Sequence, residues 1–343
     1  MTRLRVCLIG LCCALWLSGC ARSYPLVSQE SFVFGTRVEI HIANALEEEA
    51  RAAAAAVLRD FDELHRNYHA WQPSQLTAVN TALAEGKTLE VSAELAALIT
   101  NAQTLAAASG YRFDPGIGRL IALWGFQSDE FAPLLPAAAT LEKWRAHPAS
   151  IAEARVEGRR VSATNTAVAL DFGGYLKGVA LDRAAAQLKA MGIRNALINI
   201  GGNVMALGDK YGKPWKVGIQ HPRQPGPLAT LDLRDGEAVG TSGDYQRYFE
   251  LDGQRYSHLL DPVKGEPPRH TRAVTLLIPP APDAGTRSDA LSKPVFLAGV
   301  EHWRAVARDL GVDHALRIDA DGRIEMTDAL RARLTFMGKA SVE

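Results

Sequence analysis

Cysteine is scarce in this chain of 343 residues, and all four cysteines lie within the first 20 positions. Cys7, Cys12 and Cys13 fall in an apolar N-terminal stretch, and Cys20 follows it directly. If that stretch is removed and Cys20 is acylated, no free thiol remains in the rest of the chain. A disulfide framework and a thiolate metal site are therefore excluded for the main domain.

An excess of charge of one sign is also missing, because 38 Lys and Arg residues balance 38 Asp and Glu residues. The composition thus gives no electrostatic reason to expect nucleic acid as a partner. Zincin histidine pairs, a P-loop and the dinucleotide-fold glycine fingerprint are absent from the sequence. The histidines outside position 258 are accordingly expected at the surface, namely His41, His65, His69, His147, His221, His270, His302 and His314.

The N-terminal apolar run, residues 6–17, follows Arg3 and Arg5 and is too short to cross a bilayer. Small residues stand immediately before Cys20, which is typical of a lipoprotein signal. We predict a signal peptide at residues 1–19, a lipidated Cys20 with a tether to residue 30, and one main domain over residues 31–343. An ordinary secretory signal with an incidental cysteine is the alternative. Either would export the protein, and the first places it on a bacterial envelope membrane, facing the periplasm.

Hydrophobic periodicity gives a mixed set of elements that do not alternate regularly, which favours an α+β fold. Residues 128–148, rich in Pro and Ala, are interpreted as an insertion or loop. Turn signals at Asp252-Gly253 and Asp321-Gly322 indicate two hairpins. The predicted helices are residues 47–64, 91–109 and 177–191, and the predicted strands are residues 32–40, 196–200, 245–251, 254–260, 273–278, 315–318 and 323–326.

Residues 171–178 combine a carboxylate, two adjacent glycines and a lysine immediately before a predicted helix. Glycines let the backbone approach a bulky anion, the helix N-terminus offers unpaired N–H groups, and Lys177 adds positive charge. Phosphate or pyrophosphate is the ligand that suits this pattern. A tight strand-to-helix turn would use the same residues and is an equally good explanation of the glycine pair.

Four segments in series, residues 171–178, 199–203, 241–245 and 257–262, resemble the ApbE family of FAD:protein FMN transferases in order and spacing. Residues 113–118, residues 123–126 and the Phe34-Gly35-Thr36 opening resemble further blocks of that family. The resemblance covers nearly the whole predicted domain. It implies a two-lobed α+β fold with mixed sheets, flanking helices and an active site between the lobes.

The resemblance also implies an activity, in which Mg2+ on the FAD pyrophosphate assists transfer of FMN to a Ser or Thr of another protein and AMP leaves. Acceptors would be flavoprotein subunits of envelope electron-transport complexes. Phe34 and Trp71 would flank the flavin, with Trp71 standing where the family usually has Tyr and keeping a flat surface for stacking. Arg112, Phe113 and Asp114 would line the adenosine side. Asp171 and Lys177 would contact the ribose and phosphates, and Asp171 would also take part in catalysis.

His258 would hold or deprotonate the attacking hydroxyl, because an imidazole titrates near working pH. A structural role in its hairpin is equally compatible with the sequence, and the resemblance favours the functional one. Ser242, His258 and Asp261 also suggest a hydrolase triad, although the serine lacks the nucleophile-elbow pattern. Asn199 and the glycine pair after it are expected to end a buried strand.

The metal would be held by the carbonyl of Gly174 and by residues 289–293, where the family typically has Asp-Ala-x-x-Thr. Asp289 matches, but Lys293 replaces the threonine, and an ammonium has no lone pair for a metal. If the segment is helical, Lys293 pairs with Asp289 and partly stands in for Mg2+, so Mg2+ dependence is weak. Alternatively, Pro294 turns Lys293 out to solvent and Ser292 supplies the missing oxygen.

Two other functions remain open from the sequence. In the first, the same site hydrolyses FAD to FMN and AMP with water as the acceptor, and no FMN is transferred to a protein. Or the protein could be a non-catalytic FAD-binding assembly factor for an envelope reductase, which the lysine at position 293 keeps possible. Labelling of an acceptor and turnover of FAD distinguish these three functions.

Overall fold

The computed structural model describes residues 24–128, 130 and 132–337. The predicted signal peptide and Cys20 lie outside the described residues. The strands are β1 Val27–Val33, β2 Thr36–Ile42, β3 Leu89–Glu90, β4 Ala154–Glu157, β5 Arg160–Ala163, β6 Ala196–Ile200, β7 Asn203–Leu207, β8 Trp215–Gln220, β9 Pro227–Leu233, β10 Ala238–Gly243, β11 Tyr248–Leu251, β12 Gln254–Ser257, β13 Thr271–Ile278, β14 His314–Asp319, β15 Ile324–Met326 and β16 Leu334–Phe336. The helices are α1 Glu47–Asn67, α2 Gln75–Ala84, α3 Ala93–Ala108, α4 Gly118–Leu123, α5 Ala138–Ala146, α6 Leu176–Ala190, α7 Ala284–Leu297, α8 Gly299–Asp309 and α9 Asp328–Arg331.

The centre of the fold is an eight-stranded antiparallel sheet in the order β1-β2-β6-β7-β10-β13-β14-β15. Side chains along its strands point alternately into two apolar cores, because successive side chains of a strand point to opposite faces of the sheet. Helices α1, α6 and α7 pack on one face, and the three-stranded sheet β16-β9-β8 covers the other. Helices and antiparallel sheets are thus separated in space, and the predicted α+β class is confirmed. No helix among the described residues is long and apolar enough to cross a membrane.

The predicted strand over residues 32–40 is wrong, because the chain reverses in its middle. β1 and β2 form a hairpin that pairs from Val27 with Ile42 to Val33 with Thr36. Phe34 and Gly35 make the turn with φ angles of 57° and 68°, the left-handed conformation of a type I′ turn. Since β1 begins at Val27, ordered pairing also starts before residue 31, where the domain was predicted to begin.

Helices α1, α3 and α6 confirm the three predicted helices, and Gly110 and Gly192 follow α3 and α6 with positive φ. The hairpin β11–β12 turns at Asp252-Gly253 as predicted. The interpretation of residues 128–148 as a loop is wrong for α5. Trp144 of α5 is buried, and its indole N–H donates to the carbonyl of Pro262 at 2.8 Å, so this helix packs against residues 257–262.

Helices α6 and α7 approach each other through glycine. A Cβ added to Gly178 would lie 2.5 Å from the carbonyl oxygen of Gly285, and one on Gly285 would lie 2.7 Å from the carbonyl oxygen of Gly178. Asp182 of α6 accepts hydrogen bonds from the backbone N–H groups of Gly285 and Thr286, at 2.7 and 2.8 Å, and thereby caps α7. This contact brings the residues 171–178 segment beside Asp289.

Candidate functional site

A cavity of 730 Å³ opens at the ends of the central strands, between the β1–β2 turn, the C-terminal end of α1, the N-terminal end of α6 and helix α7. Its position between the central sheet and the segment that carries α2 to α5 agrees with an active site between two lobes. Every predicted site residue of the main domain lines it, namely Phe34, Trp71, Arg112, Phe113, Asp114, Asp171, Gly174, Lys177, His258, Asp289 and Lys293. Which ligand atoms each of them contacts stays a prediction.

One wall of the cavity is a row of four rings. Phe34 contacts His65 at a centroid distance of 5.6 Å, His65 lies 4.9 Å from His69, and His69 lies 4.4 Å from Trp71. Phe34 projects from a turn whose positive φ is uncommon for a residue other than glycine, a conformation that often marks functional sites. The row joins the two residues predicted to flank the flavin, with two histidines between them.

His69 corrects the expectation that the histidines lie at the surface. It is buried, and its Nδ1 accepts hydrogen bonds from the backbone N–H groups of Trp71 and Gln72, at 3.4 and 3.1 Å. Accepting at Nδ1 places the ring proton on Nε2 and ties down the loop that carries Trp71. His65 is half-buried in the same wall. The sequence contained one signal for this, the four-residue spacing between His65, in the last turn of α1, and His69, just after the end of that helix.

Arg247 lies over the Trp71 ring, with its guanidinium carbon 5.5 Å from the ring centroid. It also donates to the carbonyls of Phe126 and Ser128, at 2.9 and 3.0 Å. Sequence reasoning missed this residue, although it lies two positions after the residues 241–245 motif. Arg247 therefore links the aromatic wall to the loop at Phe126 and adds positive charge to the cavity.

The residues 171–178 segment forms the floor. Asp171 is buried, and its carboxylate accepts from the backbone N–H of Gly173 at 2.9 Å and from Gln127 Nε2 at 3.1 Å. This local bond shapes the glycine turn before α6. Lys177 lies in the first turn of α6, and its Nζ donates to the carbonyl of Gly173 at 3.3 Å. The tight turn is thus present and Lys177 lies beside it, while binding of a phosphate by this segment stays a prediction.

The carboxylate of Asp114, predicted to line the adenosine side, is hydrogen-bonded to the backbone of the protein itself. Its Oδ1 accepts from the backbone N–H groups of Gly116 and Ile151, both at 2.8 Å, and joins two loops. Burial raises the pKa of this carboxyl, while these hydrogen bonds act in the opposite direction. Arg112 beside it is exposed at the cavity mouth, and Phe113 is buried, with its ring 6.3 Å from Tyr175.

His258 is positioned by backbone groups. Its Nδ1 lies 3.1 Å from the carbonyl oxygen of Arg247, which accepts only if Nδ1 carries the proton, so Nε2 keeps its lone pair. The ring meets Phe126 edge-on at 6.4 Å. Burial, together with the charges of Arg247, Lys177 and Lys293, lowers the pKa of His258 to about 3. In the free protein the imidazole is therefore neutral at physiological pH.

A hydrolase triad is not formed. His258 Nδ1 bonds the Arg247 carbonyl, whereas the Asp261 carboxylate accepts from the backbone N–H groups of Val263 and Lys264, both at 3.0 Å. Ser242 is buried and shares a 2.7 Å hydrogen bond with Ser292. Asn199 has its expected structural role, since its side-chain oxygen accepts from the N–H of Gly202 at 3.0 Å at the end of β6.

Asp289 and Lys293 form an ion pair on one face of α7, which continues through Pro294. The interpretation in which Lys293 leaves the helix and Ser292 faces the metal is wrong, because the Ser292 hydroxyl is fully buried against Asp289 O and Ser242. Burial raises the pKa of Asp289, but the charges of Lys293 and Lys177 outweigh it and lower that pKa. Burial and Lys177 lower the pKa of Lys293 to about 8, so both groups are charged at neutral pH.

The residues present do not fit a complete Mg2+ site. One oxygen of Asp289 accepts the Gly178 N–H at 3.0 Å, and the other is paired with the Lys293 ammonium. Mg2+ needs near-octahedral oxygen ligands at about 2.0–2.1 Å, and an ammonium supplies none and repels the ion. Among the described residues, no three His, Asp or Glu side chains come together as a metal-binding group. Gly174 and Asp289 would hold a metal only after Lys293 had moved away.

Comparisons with known proteins show which family the chain resembles. The model of the ApbE family matches residues 34–316. A protein of Rhodobacter capsulatus named FAD:protein FMN transferase is 40% identical over 90% of this chain, and one of Treponema pallidum with the same name is 34% identical over 77% of it. The chain spans 58% of the length of the first relative and 76% of the second.

Two solved structures share the fold. The ApbE protein of Thermotoga maritima superposes with a TM-score of 0.81 at 31% identity, covering 90% of this chain and 99% of that one. The apo form of the Pseudomonas stutzeri flavinyl transferase ApbE gives a TM-score of 0.76 at 27% identity, covering 90% and 96%.

Proposed function

The chain belongs to the ApbE family, and from this premise we propose that it is a transferase that moves FMN from FAD to a Ser or Thr hydroxyl of another protein. The hydroxyl oxygen forms a bond to the phosphorus of the FMN half, and the bond from that phosphorus to the bridging oxygen breaks. AMP leaves with the bridging oxygen, and the hydroxyl proton passes to His258. No electrons are exchanged with the flavin.

The observation that carries this proposal is the composition of one cavity. An aromatic wall ending at Phe34 and Trp71 suits the flat, largely apolar flavin ring. The glycine turn and Lys177 at the N-terminus of α6 suit phosphate oxygens. His258 faces the same cavity with an unprotonated Nε2. A flavin ring, a pyrophosphate and a proton acceptor are the three things that the reaction needs in one place.

The acceptors that we propose are flavoprotein subunits of envelope electron-transport complexes, and the proposed location is the periplasmic face of a membrane, with the chain held by a lipid on Cys20. A covalently held FMN cannot diffuse away outside the cytoplasm, which gives such a transferase its use there. The resemblance to the family also implies Mg2+ on the pyrophosphate. Lys293 bears directly on this expectation, because it stands where the family typically has a metal-binding threonine.

The function is tested by incubating the purified protein with FAD and candidate acceptor subunits and measuring three products. Covalent FMN on the acceptor, with one AMP released per FMN attached, is the expected result. Its loss when the modified Ser or Thr of the acceptor is replaced by Ala confirms the bond. Free FMN and AMP without labelling would indicate a hydrolase, and FAD that is bound but unconsumed would indicate an assembly factor.

Replacing Lys177 or Asp171 with Ala is expected to weaken FAD binding by about tenfold to a hundredfold. A charged hydrogen bond contributes about 1.5–3 kcal/mol, and each 1.4 kcal/mol is a factor of ten. Lys177→Ala removes the cation itself, whereas Asp171→Ala removes the carboxylate that accepts the Gly173 N–H and holds the turn. Titration of intrinsic flavin fluorescence gives the affinity, and Lys189→Ala at the exposed end of α6 is the matched control. Unchanged affinity in both variants would remove this segment from the site.

Lipidation is tested separately. Cys20→Ala is expected to abolish acylation and to release the protein from the membrane fraction, because the thiol carries the lipid and stable attachment needs the hydrocarbon chains. Mass spectrometry of the purified mature chain measures the acyl groups. A variant that still carries the acyl mass would contradict the prediction.

A further inference from the structure

Lys293 is held over Asp289 by the helix itself. Because α7 runs from Ala284 to Leu297, Lys293 lies one turn after Asp289, and its Nζ donates both to the Asp289 carboxylate and, at 2.8 Å, to the Asp289 carbonyl. Pro294 disturbs the helical hydrogen bonds at this turn, and the hydroxyl of Ser292 also donates to the Asp289 carbonyl, at 2.7 Å. The lysine is therefore fixed by two contacts rather than swinging freely in solvent.

The ammonium lies beside the glycine turn. A Cβ on Gly174 would stand 3.2 Å from Cε of Lys293, so the lysine side chain lies against the backbone that precedes α6. The side chain of Lys293 is only 15% exposed, and Asp289 is 1% exposed. Lys177 contributes a second positive charge to the same region. Two cations and one carboxylate thus face the floor of the cavity, where the sequence motif indicated a pyrophosphate.

Two of the three N–H bonds of Lys293 are used by Asp289, and the third can be donated to a substrate oxygen. The ion pair leaves Asp289 with no oxygen that is free of a partner, since Gly178 occupies the other one. A divalent cation at this place would have to displace the Lys293 ammonium, which would also repel it.

We propose that the Lys293 ammonium supplies the positive charge on the phosphates of FAD, so that this protein cleaves and transfers without a divalent metal. The inference rests on the proposed function for its substrate. Lys293 balances charge on the phosphate oxygens as AMP departs, and the proton of the acceptor hydroxyl still goes to His258. Lys177 and Lys293 together match the two negative charges of a pyrophosphate diester.

The first experiment measures AMP release from FAD by protein freed of metal with EDTA, in EDTA and across a Mg2+ titration. For the wild type we expect rates in EDTA within about threefold of those with saturating Mg2+. Lys293→Met, which keeps the length and removes the charge, is expected to lose about a hundredfold in EDTA. Lys293→Thr is expected to become Mg2+-dependent and to be rescued by the ion. Lys189→Thr is the matched control and should behave as the wild type.

A wild type that is inactive in EDTA and restored by Mg2+ would overturn the inference while supporting the transferase. A Lys293→Thr variant with unchanged turnover and unchanged Mg2+ titration would also overturn it, because the lysine would then be a bystander.

A second measurement keeps the inference testable if no turnover occurs at all, an outcome that would refute the proposed function instead. Calorimetry with Mg2+ alone is expected to show no binding to the wild type and binding to Lys293→Thr. FAD affinity in EDTA is expected to fall about tenfold in Lys293→Met and to stay unchanged in Lys189→Thr. Stoichiometric Mg2+ binding to the wild type that is lost in Asp289→Ala would contradict the inference whatever the turnover.

Discussion

Replacing His258 with Ala should reduce FMN transfer by about 10²–10⁴-fold, the usual effect of removing a general base. The Arg247 carbonyl accepts the Nδ1 proton, so the imidazole presents Nε2 as a proton acceptor in a fixed orientation. FAD affinity should change only a few-fold, because the proposed phosphate contacts lie on α6 and α7. Single-turnover labelling of the acceptor, with the FAD affinity measured in parallel, separates the two effects.

The pH dependence follows from the lowered pKa of His258. Burial and the charges of Arg247, Lys177 and Lys293 lower this pKa to about 3, so in the free protein the base stays deprotonated down to that pH. The profile of kcat/KM for FAD, which reports the free enzyme, should therefore show no acid limb near pH 6.5 from this group. Bound pyrophosphate offsets the cations and raises the pKa, so kcat should lose activity at a higher pH than kcat/KM.

His258→Asn serves as the conservative variant, because its amide nitrogen takes the place of Nδ1 and can still donate to the Arg247 carbonyl but cannot take a proton at neutral pH. It should keep the melting temperature and lose transfer like His258→Ala. Transfer above about one third of the wild-type rate in either variant would assign His258 a structural role in the hairpin instead.

Much of this fold could be predicted because its signals are local. Helices α1, α3 and α6 have apolar residues at helical spacing, and Gly110 and Gly192 mark the ends of two of them. Asp252-Gly253 alone identifies the β11–β12 hairpin. The site residues also came together in one cavity, since their motifs stand at the ends of elements, where side chains and backbone N–H groups are free to face a ligand.

The missed features depend on contacts between distant segments. The turn at Phe34 interrupts an alternating pattern that continues on both sides, and only Gly35 indicated it. Helix α5 has weak local signals and is held by Trp144 on the carbonyl of Pro262, 118 residues away. Arg247 acts on Trp71, Phe126 and the ring of His258 through space. No local propensity encodes such pairings, so the sequence pattern could not reveal them.

Gly178→Ala is expected to destabilise the protein by about 2–3 kcal/mol and to damage the site. The new Cβ would lie 2.5 Å from the carbonyl oxygen of Gly285, 2.7 Å from Cα of Thr286 and 2.8 Å from Cβ of Asp289. Backbone atoms of a packed helix cannot rotate away, so α6 and α7 must separate, and overpacking of this kind typically costs 1–3 kcal/mol. Thermal unfolding should show a melting temperature lower by about 5 °C.

Separation of α6 and α7 should also weaken FAD binding, because it lengthens the hydrogen bond from the Gly178 N–H to Asp289 and moves Lys293 away from Gly174. We expect a loss of about tenfold in affinity, more than partial unfolding explains at 25 °C. Gly212→Ala is the matched control, since that glycine has a φ of 82° and open space around it. The control should cost about 1 kcal/mol through backbone strain alone and leave FAD affinity unchanged. If Gly178→Ala behaves like this control, the contact between α6 and α7 does not set the position of the lysines.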